Sequence, residues 1–205
     1  MFFGALQAFT SCSDEPDAEN YYTFTGEMVS DYLDNRPEQF SDFTKVLQRS
    51  GLYGMMATYG TYTCLAPTNE AMAQYLKERG FSSVEELTKE ECDTLSWNHI
   101  IAETYFTTDL SDGKIPTANM NERFLTFSCD SDAVEGGNVM YYVNMASKLV
   151  VRDDSVENGV VHTLNRVIQP SSAYLPELLL EDKNISLFTS ALTLTGLNDS
   201  LYEYI

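Results

Sequence analysis

Basic residues are scarce. Twelve Lys and Arg stand against 31 Asp and Glu, for a formal charge of −19 over 205 residues. A field of that sign repels nucleic-acid phosphates and anionic lipid headgroups, and no Lys/Arg cluster makes a local exception, so nucleic acid is excluded as a partner. No apolar run approaches the ~20 residues a membrane-spanning helix needs. Histidine is limited to His99 and His162, so a zinc or acid–base site would have to use both. No Cys-x-x-Cys or His-x-x-x-His pair supports such a site. A Gly-rich phosphate loop after a strand and a Ser in a nucleophile-elbow context are also missing. The nucleophile sets that can be drawn pair Cys64 or Cys92 with His99. Both thiols sit among apolar residues, with no helix N-terminus or basic neighbour to activate them. "DSDAVEGG" (130–137) hints at a calcium loop, but Val134 and Glu135 stand where an oxygen ligand and a Gly are required, so it reads as an acidic turn. "RDDSVENG" (152–159) reads the same way. No enzyme activity, metal or cofactor is expected.

What is present is material for a core. Hydrophobic residues make up 43%, with 13 Tyr and 11 Phe, enough for one folded domain plus appendages. In "FSDFTKVLQRSG", Phe40, Phe43, Val46 and Leu47 fall at helical spacing and Gly51 is placed to stop the helix. Tyr62–Leu65 is a short β-like run ended by Pro67. Thr68 then stands as N-cap of a helix whose stripe is Met72, Tyr75 and Leu76 and whose stop is Gly80. Two capping boxes follow, Ser83 with Glu86 and Thr88 with Glu91. The second opens a helix with Cys92, Leu95, His99 and Ile100 on its apolar face. "RFLTFSC", "VMYYVN", "KLVVRDD" and "GVVHTLNRVI" are short aromatic or β-branched runs separated by Asp, Gly and Asn clusters. Helices first and strands later predict an α+β fold rather than a βαβ parallel sheet.

The first helix has a double. "FSDFTKVLQRSGL" from Phe40 aligns with "ISLFTSALTLTGL" from Ile185, 145 residues later, pairing Phe43 with Phe188, Thr44 with Thr189, Leu47 with Leu192 and Gly51 with Gly196. A period of that length suggests tandem domains. The expected organisation is a signal remnant at 1–12, an acidic tether at 13–35, a domain at 36–170, and a linker plus the opening helix of a truncated second domain at 171–205. The apolar face of Phe188, Ala191 and Leu192 is then expected to be under-buried.

Two resemblances add to this. The apolar run ending at Ser11-Cys12 and turning acidic at Asp14 resembles the end of a bacterial lipoprotein signal, which implies lipidation at Cys12; the alternative is a frayed apolar terminus. With Cys12 lipidated, Cys64, Cys92 and Cys129 cannot all pair within the chain, and a single disulfide among them is possible but not required. "YTCLAPTNEAMAQYL" (62–76), "WNHII" (97–101) and "NGVVHTLNRVIQP" (158–170) resemble, in order and spacing, the signature segments of fasciclin-type (FAS1) domains. The resemblance implies a wedge-like β assembly packed with several α-helices, the two outer signature segments side by side in the core.

Alternation in a strand over Val160–Ile168 places His162 with Val160, Leu164 and Ile168, so both imidazoles point inward and need partners. By the resemblance, Thr63, Thr68 and Asn69 form a polar clasp with His99 and His162. Asn98 and Asn165 stand where the family carries Tyr and Asp, and the second change could weaken a salt bridge near Arg166. Function is expected to be non-enzymatic: a surface adhesion or binding module with an extracellular protein or glycan partner, Tyr141 or Tyr142 being candidates to stack on a sugar. Contact with a membrane would be through the lipid anchor only, as a surface-exposed lipoprotein of the outer membrane. The alternative is a structural accessory of an outer-membrane uptake complex, without a ligand of its own; small-molecule binding between two domains is a third reading.

Overall fold

The computed structural model describes residues 26–130, 139–169, 179–180 and 183–201. Five helices and one strand come first: α1 (Val29–Asp34), α2 (Pro37–Ser50), α3 (Tyr53–Met56), β1 (Tyr62–Pro67), α4 (Asn69–Glu78) and α5 (Lys89–Asn98). Pro37 opens α2 at a position whose N–H would be unbonded anyway. Gly51 closes it in the left-handed conformation at φ 83°, its N–H donating to Gln48 O at 3.2 Å. The stripe of Phe40, Phe43, Val46 and Leu47 is fully buried.

Thr68 caps α4 by accepting from Ala71 N at 3.2 Å. Thr88 and Glu91 cap α5 reciprocally, at 3.2 and 2.9 Å. The box expected at Ser83–Glu86 does not form. Val84–Glu86 is a single 3-10 turn, Leu87 returns to extended backbone, and Glu86 accepts from Ser82 N at 3.3 Å. The expected tether also ends earlier than residue 35. Val29, Tyr32 and Leu33 recur at helical spacing and are buried, and Glu157 N donates to Glu27 O at 2.9 Å.

The strands β2 (Ile100–Ile101), β3 (Gly113–Lys114), β4 (Thr126–Asp130), β5 (Met140–Val143), β6 (Ser147–Val156) and β7 (Gly159–Leu164) join β1 in one seven-stranded sheet of order β2-β1-β7-β6-β5-β4-β3. The pair β1 with β7, one strand in from the β2 edge, is parallel and in register from Tyr62↔Gly159 to Pro67↔Leu164; the other pairs are antiparallel. The two outer signature segments therefore lie side by side. Arg152–Val156 lies within β6 rather than in a turn between strands, and only Glu157–Asn158 turns. Two surplus residues on β6 are absorbed by two register shifts, one between Leu149 and Val151 and one between Val151 and Asp154, with Asp153 at φ 64°.

The sheet curls, so β1 and β7 are buried on both faces. Cys64, Ala66 and Val161 pack against Phe40, Phe43 and Leu47 of α2 and Met72 of α4. Leu65 and Leu164 face the other way, into a second core with Ile101, Leu125, Phe127 and Val143. The fold is α+β, as expected from the order of the runs.

Two further helices, α6 (Ser186–Thr195) and α7 (Leu197–Ser200), follow. α6 ends on Gly196 at φ 71°, its N–H donating to Thr193 O at 3.3 Å, the arrangement found at Gly51. Its apolar residues are not covered: Phe188 is 56% exposed, Leu187 88% and Leu194 87%, with Ala191 exposed and Leu192 half-buried.

Candidate functional site

The signature residues build a polar frame around β1 and β7. His162 is buried on β7, opposite Leu65. Its Nδ1 accepts from Asp153 N at 3.1 Å and its Nε2–H donates to Tyr105 O at 2.9 Å. The left-handed bulge at Asp153 is what turns that N–H onto the ring. Thr63 holds the other end of the same residue: its Oγ1 accepts from Tyr105 N at 2.9 Å and donates to Glu103 O at 2.7 Å. Thr63 and His162 are thus joined through the backbone of Tyr105 rather than to each other.

His99 caps α5 and is fully buried. Nδ1–H donates to Leu95 O at 2.7 Å, Nε2 accepts from Ile168 N at 2.9 Å, and the Phe43 ring lies 5.5 Å away. Burial depresses both imidazoles, His99 to about 4. Each ring is neutral with both nitrogens used. The clasp expected among Thr63, Thr68, Asn69, His99 and His162 is therefore not one cluster. Thr63 and His162 hold the backbone of Glu103, Tyr105 and Asp153 against β1 and β7, and His99 ties the end of α5 to Ile168, because buried loop amides and carbonyls need partners that no strand supplies. Asn69 accepts from Asp42 N at 3.0 Å and donates to Pro37 O at 3.1 Å, fixing the start of α2, while Thr68 serves α4.

Asn158, not anticipated as a frame residue, does as much. It is buried; Oδ1 accepts from Val29 N at 2.9 Å, and Nδ2 donates to Met56 O and Thr58 O, both at 2.8 Å. It fastens α1 and the end of α3 to the sheet. Its signal was its place at the head of the second signature. Gly159 follows at φ 147°, where a Cβ would meet Tyr62 O at 1.9 Å, so glycine is required. Asn165 accepts from Lys148 N at 2.8 Å, a role any acceptor oxygen fills, and Arg166 approaches Glu78 at 3.9 Å instead.

Cys64 and Cys92 are buried free thiols and Cys129 is an exposed one. Burial pushes Cys64 up to about 12, the opposite of an activated nucleophile. Among the described residues no group of His, Cys, Asp and Glu is gathered for a metal. Cys12 and the loop at 131–137 lie outside the described residues.

Tyr141 is half-buried, stacked on Phe127 at 5.5 Å with the Arg152 guanidinium 4.5 Å from its ring centroid. Tyr142 is half-buried and donates to Met140 Sδ at 3.6 Å. A more open aromatic is Phe124, 52% exposed. It lines a cleft of about 400 Å³ with Asn98, Asn119, Asn144 and Gln169.

The fasciclin domain family matches residues 38–170 of the chain. Among solved structures, the FAS1 domain pair from the insect cell adhesion molecule fasciclin I is similar at a TM-score of 0.50 and 17% identity, a likeness of fold. The match covers 78% of this chain and 55% of that one, so this chain spans about half the length of that structure. Family members are typically adhesion or binding modules. With the parallel signature strands and their polar frame, the match over 38–170 makes this chain a member of the fasciclin domain family.

Proposed function

We propose that the chain is a non-enzymatic binding module for an extracellular protein or glycan, held at the outer-membrane surface by a lipid on Cys12. The observation that carries the non-catalytic reading is the state of the frame. Both histidines are buried, neutral and bonded to backbone at each nitrogen, which leaves neither free to move a proton for a substrate. The family's habit of adhesion points the same way. The acidic stretch after Cys12 and the formal charge of −19 suit a solvated tether beside a membrane rather than a docked one.

The second part of the proposal concerns α6. It repeats α2 in register, ends on a left-handed glycine at the matching position, and is followed by a short helix as α2 is. We read it as the first helix of a second fasciclin unit.

Pull-down of envelope proteins and glycans on the immobilised chain tests the binding role; a saturable partner supports it, and retention of none under any condition overturns it. Mass spectrometry of the protein isolated from its native membrane tests the anchor, which requires a lipidated Cys12 as the mature N-terminus.

A further inference from the structure

The cleft beside the sheet has an unusual wall. Asn119 is buried with its amide orientation fixed, since Oδ1 accepts from Asn121 N at 3.1 Å and Arg123 N at 2.9 Å. Its Nδ2 therefore faces Asn98, donating to Asn98 O at 3.2 Å. Asn121 Nδ2 donates to Asn98 Oδ1 at 3.1 Å. That leaves the Asn98 amide nitrogen without a hydrogen-bond partner among the described residues, in the wall behind the cleft and shielded from it, Asn98 being only 2% exposed. A buried unpaired donor costs roughly 1–3 kcal/mol and calls for an explanation.

The rim is built from two tight turns, with Glu122 and Asn144 in the left-handed region at φ 58° and 51°, Asn144 in the hairpin that joins β5 to β6. Lys114 Nζ stands 3.7 Å from the Phe124 ring centroid and so occupies one ring face, leaving the other. The hollow continues past Asn144 and Gln169 into a second of about 330 Å³, which reaches Ser147 and Arg166. Both volumes fall in the range of about 300–1,000 Å³ usual for ligand sites.

We propose that this double hollow binds a neutral oligosaccharide, Phe124 stacking on a sugar ring while Asn144 Nδ2 and Gln169 Oε1, the amide atoms not engaged with Thr126 and Glu78, meet its hydroxyls. Together the two amides offer a donor and an acceptor, as sugar hydroxyls require, and neither carries charge. An aromatic face beside such groups supplies the apolar contact a sugar's C–H face requires. The acidic field of the chain disfavours sulfated or uronic polymers. The inference deepens the binding-module reading and rests on it.

Isothermal titration of the 205-residue chain with neutral hexasaccharides of α-1,4-glucan, β-1,4-glucan, β-1,4-xylan and α-1,6-mannan, with heparin and polygalacturonate as anionic controls, tests it. The expected result is saturable binding of at least one neutral sugar and neither polyanion, weakened at least tenfold in Phe124→Ala and in Gln169→Ala, two exposed positions whose variants should keep the wild-type denaturation midpoint. Sugar binding that survives both substitutions overturns the cleft while leaving the binding module standing. Absence of binding across the panel, or a preference for the polyanions, overturns the ligand class. A protein partner captured in the pull-down, with no sugar bound, retains the module and defeats this inference.

Discussion

Helices α2 and α6 are nearly the same helix in two surroundings. Each carries a Phe-Thr pair, a Leu four residues after the Phe, and a left-handed glycine at the same distance. Phe43 is fully buried and Phe188 is 56% exposed. The pattern that makes a helix amphipathic is thus separable from the packing that makes it stable. An isolated ten-residue helix is marginal in water, and only α2 has the core that pays back its ordering. Even the shared threonine shows it. Thr189 Oγ1 donates within its own helix to Ile185 O at 3.2 Å and Ser186 O at 3.0 Å, whereas Thr44 Oγ1 is buried without a partner among the described residues.

The largest test of this contrast is truncation at the paired phenylalanines. Phe43→Ala opens a hole between α2, α5 and His99 and should cost about 3–5 kcal/mol. Phe188→Ala should lie within about 0.5 kcal/mol of the parent, as for an exposed site. Urea denaturation of both variants decides the matter. A Phe188→Ala loss near that of Phe43→Ala would place α6 in the first domain's core and end the second-unit reading.

Next in size is the pH response of the α2 side. Burial holds His99 at about 4, against about 6.5 when unfolded. Between those values the unfolded chain binds the proton and the folded one does not, so stability is fully present above about pH 6.5 and falls as pH drops toward 4. The loss from this one group is about 3 kcal/mol across the window. His162 is depressed by burial too and adds in the same direction. Denaturant midpoints from pH 7 to 4.5 should slope steeply in the parent and less so in His99→Gln; α6 carries no histidine, so the helical signal of its own unfolding should not follow that slope. Equal slopes in parent and variant would show that His99 is not held neutral.

His162→Ala sits lower in the order. It leaves the N–H of Asp153 and the carbonyl of Tyr105 unpaired inside the fold, at a cost of roughly 1–3 kcal/mol. An unchanged denaturation midpoint would mean that water or loop movement replaces the ring without penalty.

These expectations also mark where reading the sequence stops. The inward direction of both histidines was legible, because alternation on β7 and the face of α5 dictate it. So were α2, its glycine stop, and the pairing of the two signature segments that the family resemblance implied. The partners of the imidazoles were not. They are backbone atoms of Asp153, Tyr105, Leu95 and Ile168, and a backbone atom leaves no trace in residue identity. The same holds for Asn158, whose reach to Val29, Met56 and Thr58 depends on chain segments far apart in sequence. α1 was read as tether because six residues give too few repeats for a periodicity to stand out. The cleft depended on tertiary placement, since Asn98, Asn119, Phe124, Asn144 and Gln169 form no spacing pattern.

The smallest test returns to the two glycines. Nothing lies within 4 Å of a Cβ built on Gly51 or Gly196, so substitution by Ala at either meets only the backbone penalty of the left-handed region, about 1 kcal/mol. The local cost is the same at both sites, and the readout should differ. Gly51→Ala strains a helix whose unfolding exposes Phe40, Phe43 and Leu47, so the whole domain should lose about 1 kcal/mol in urea. Gly196→Ala strains a helix that the core does not hold. It should lower helical circular dichroism slightly and leave the global midpoint where it was. If the two substitutions shift the global midpoint equally, α6 and the first domain unfold as one cooperative unit, and the exposure of Phe188 and Leu194 does not report independence.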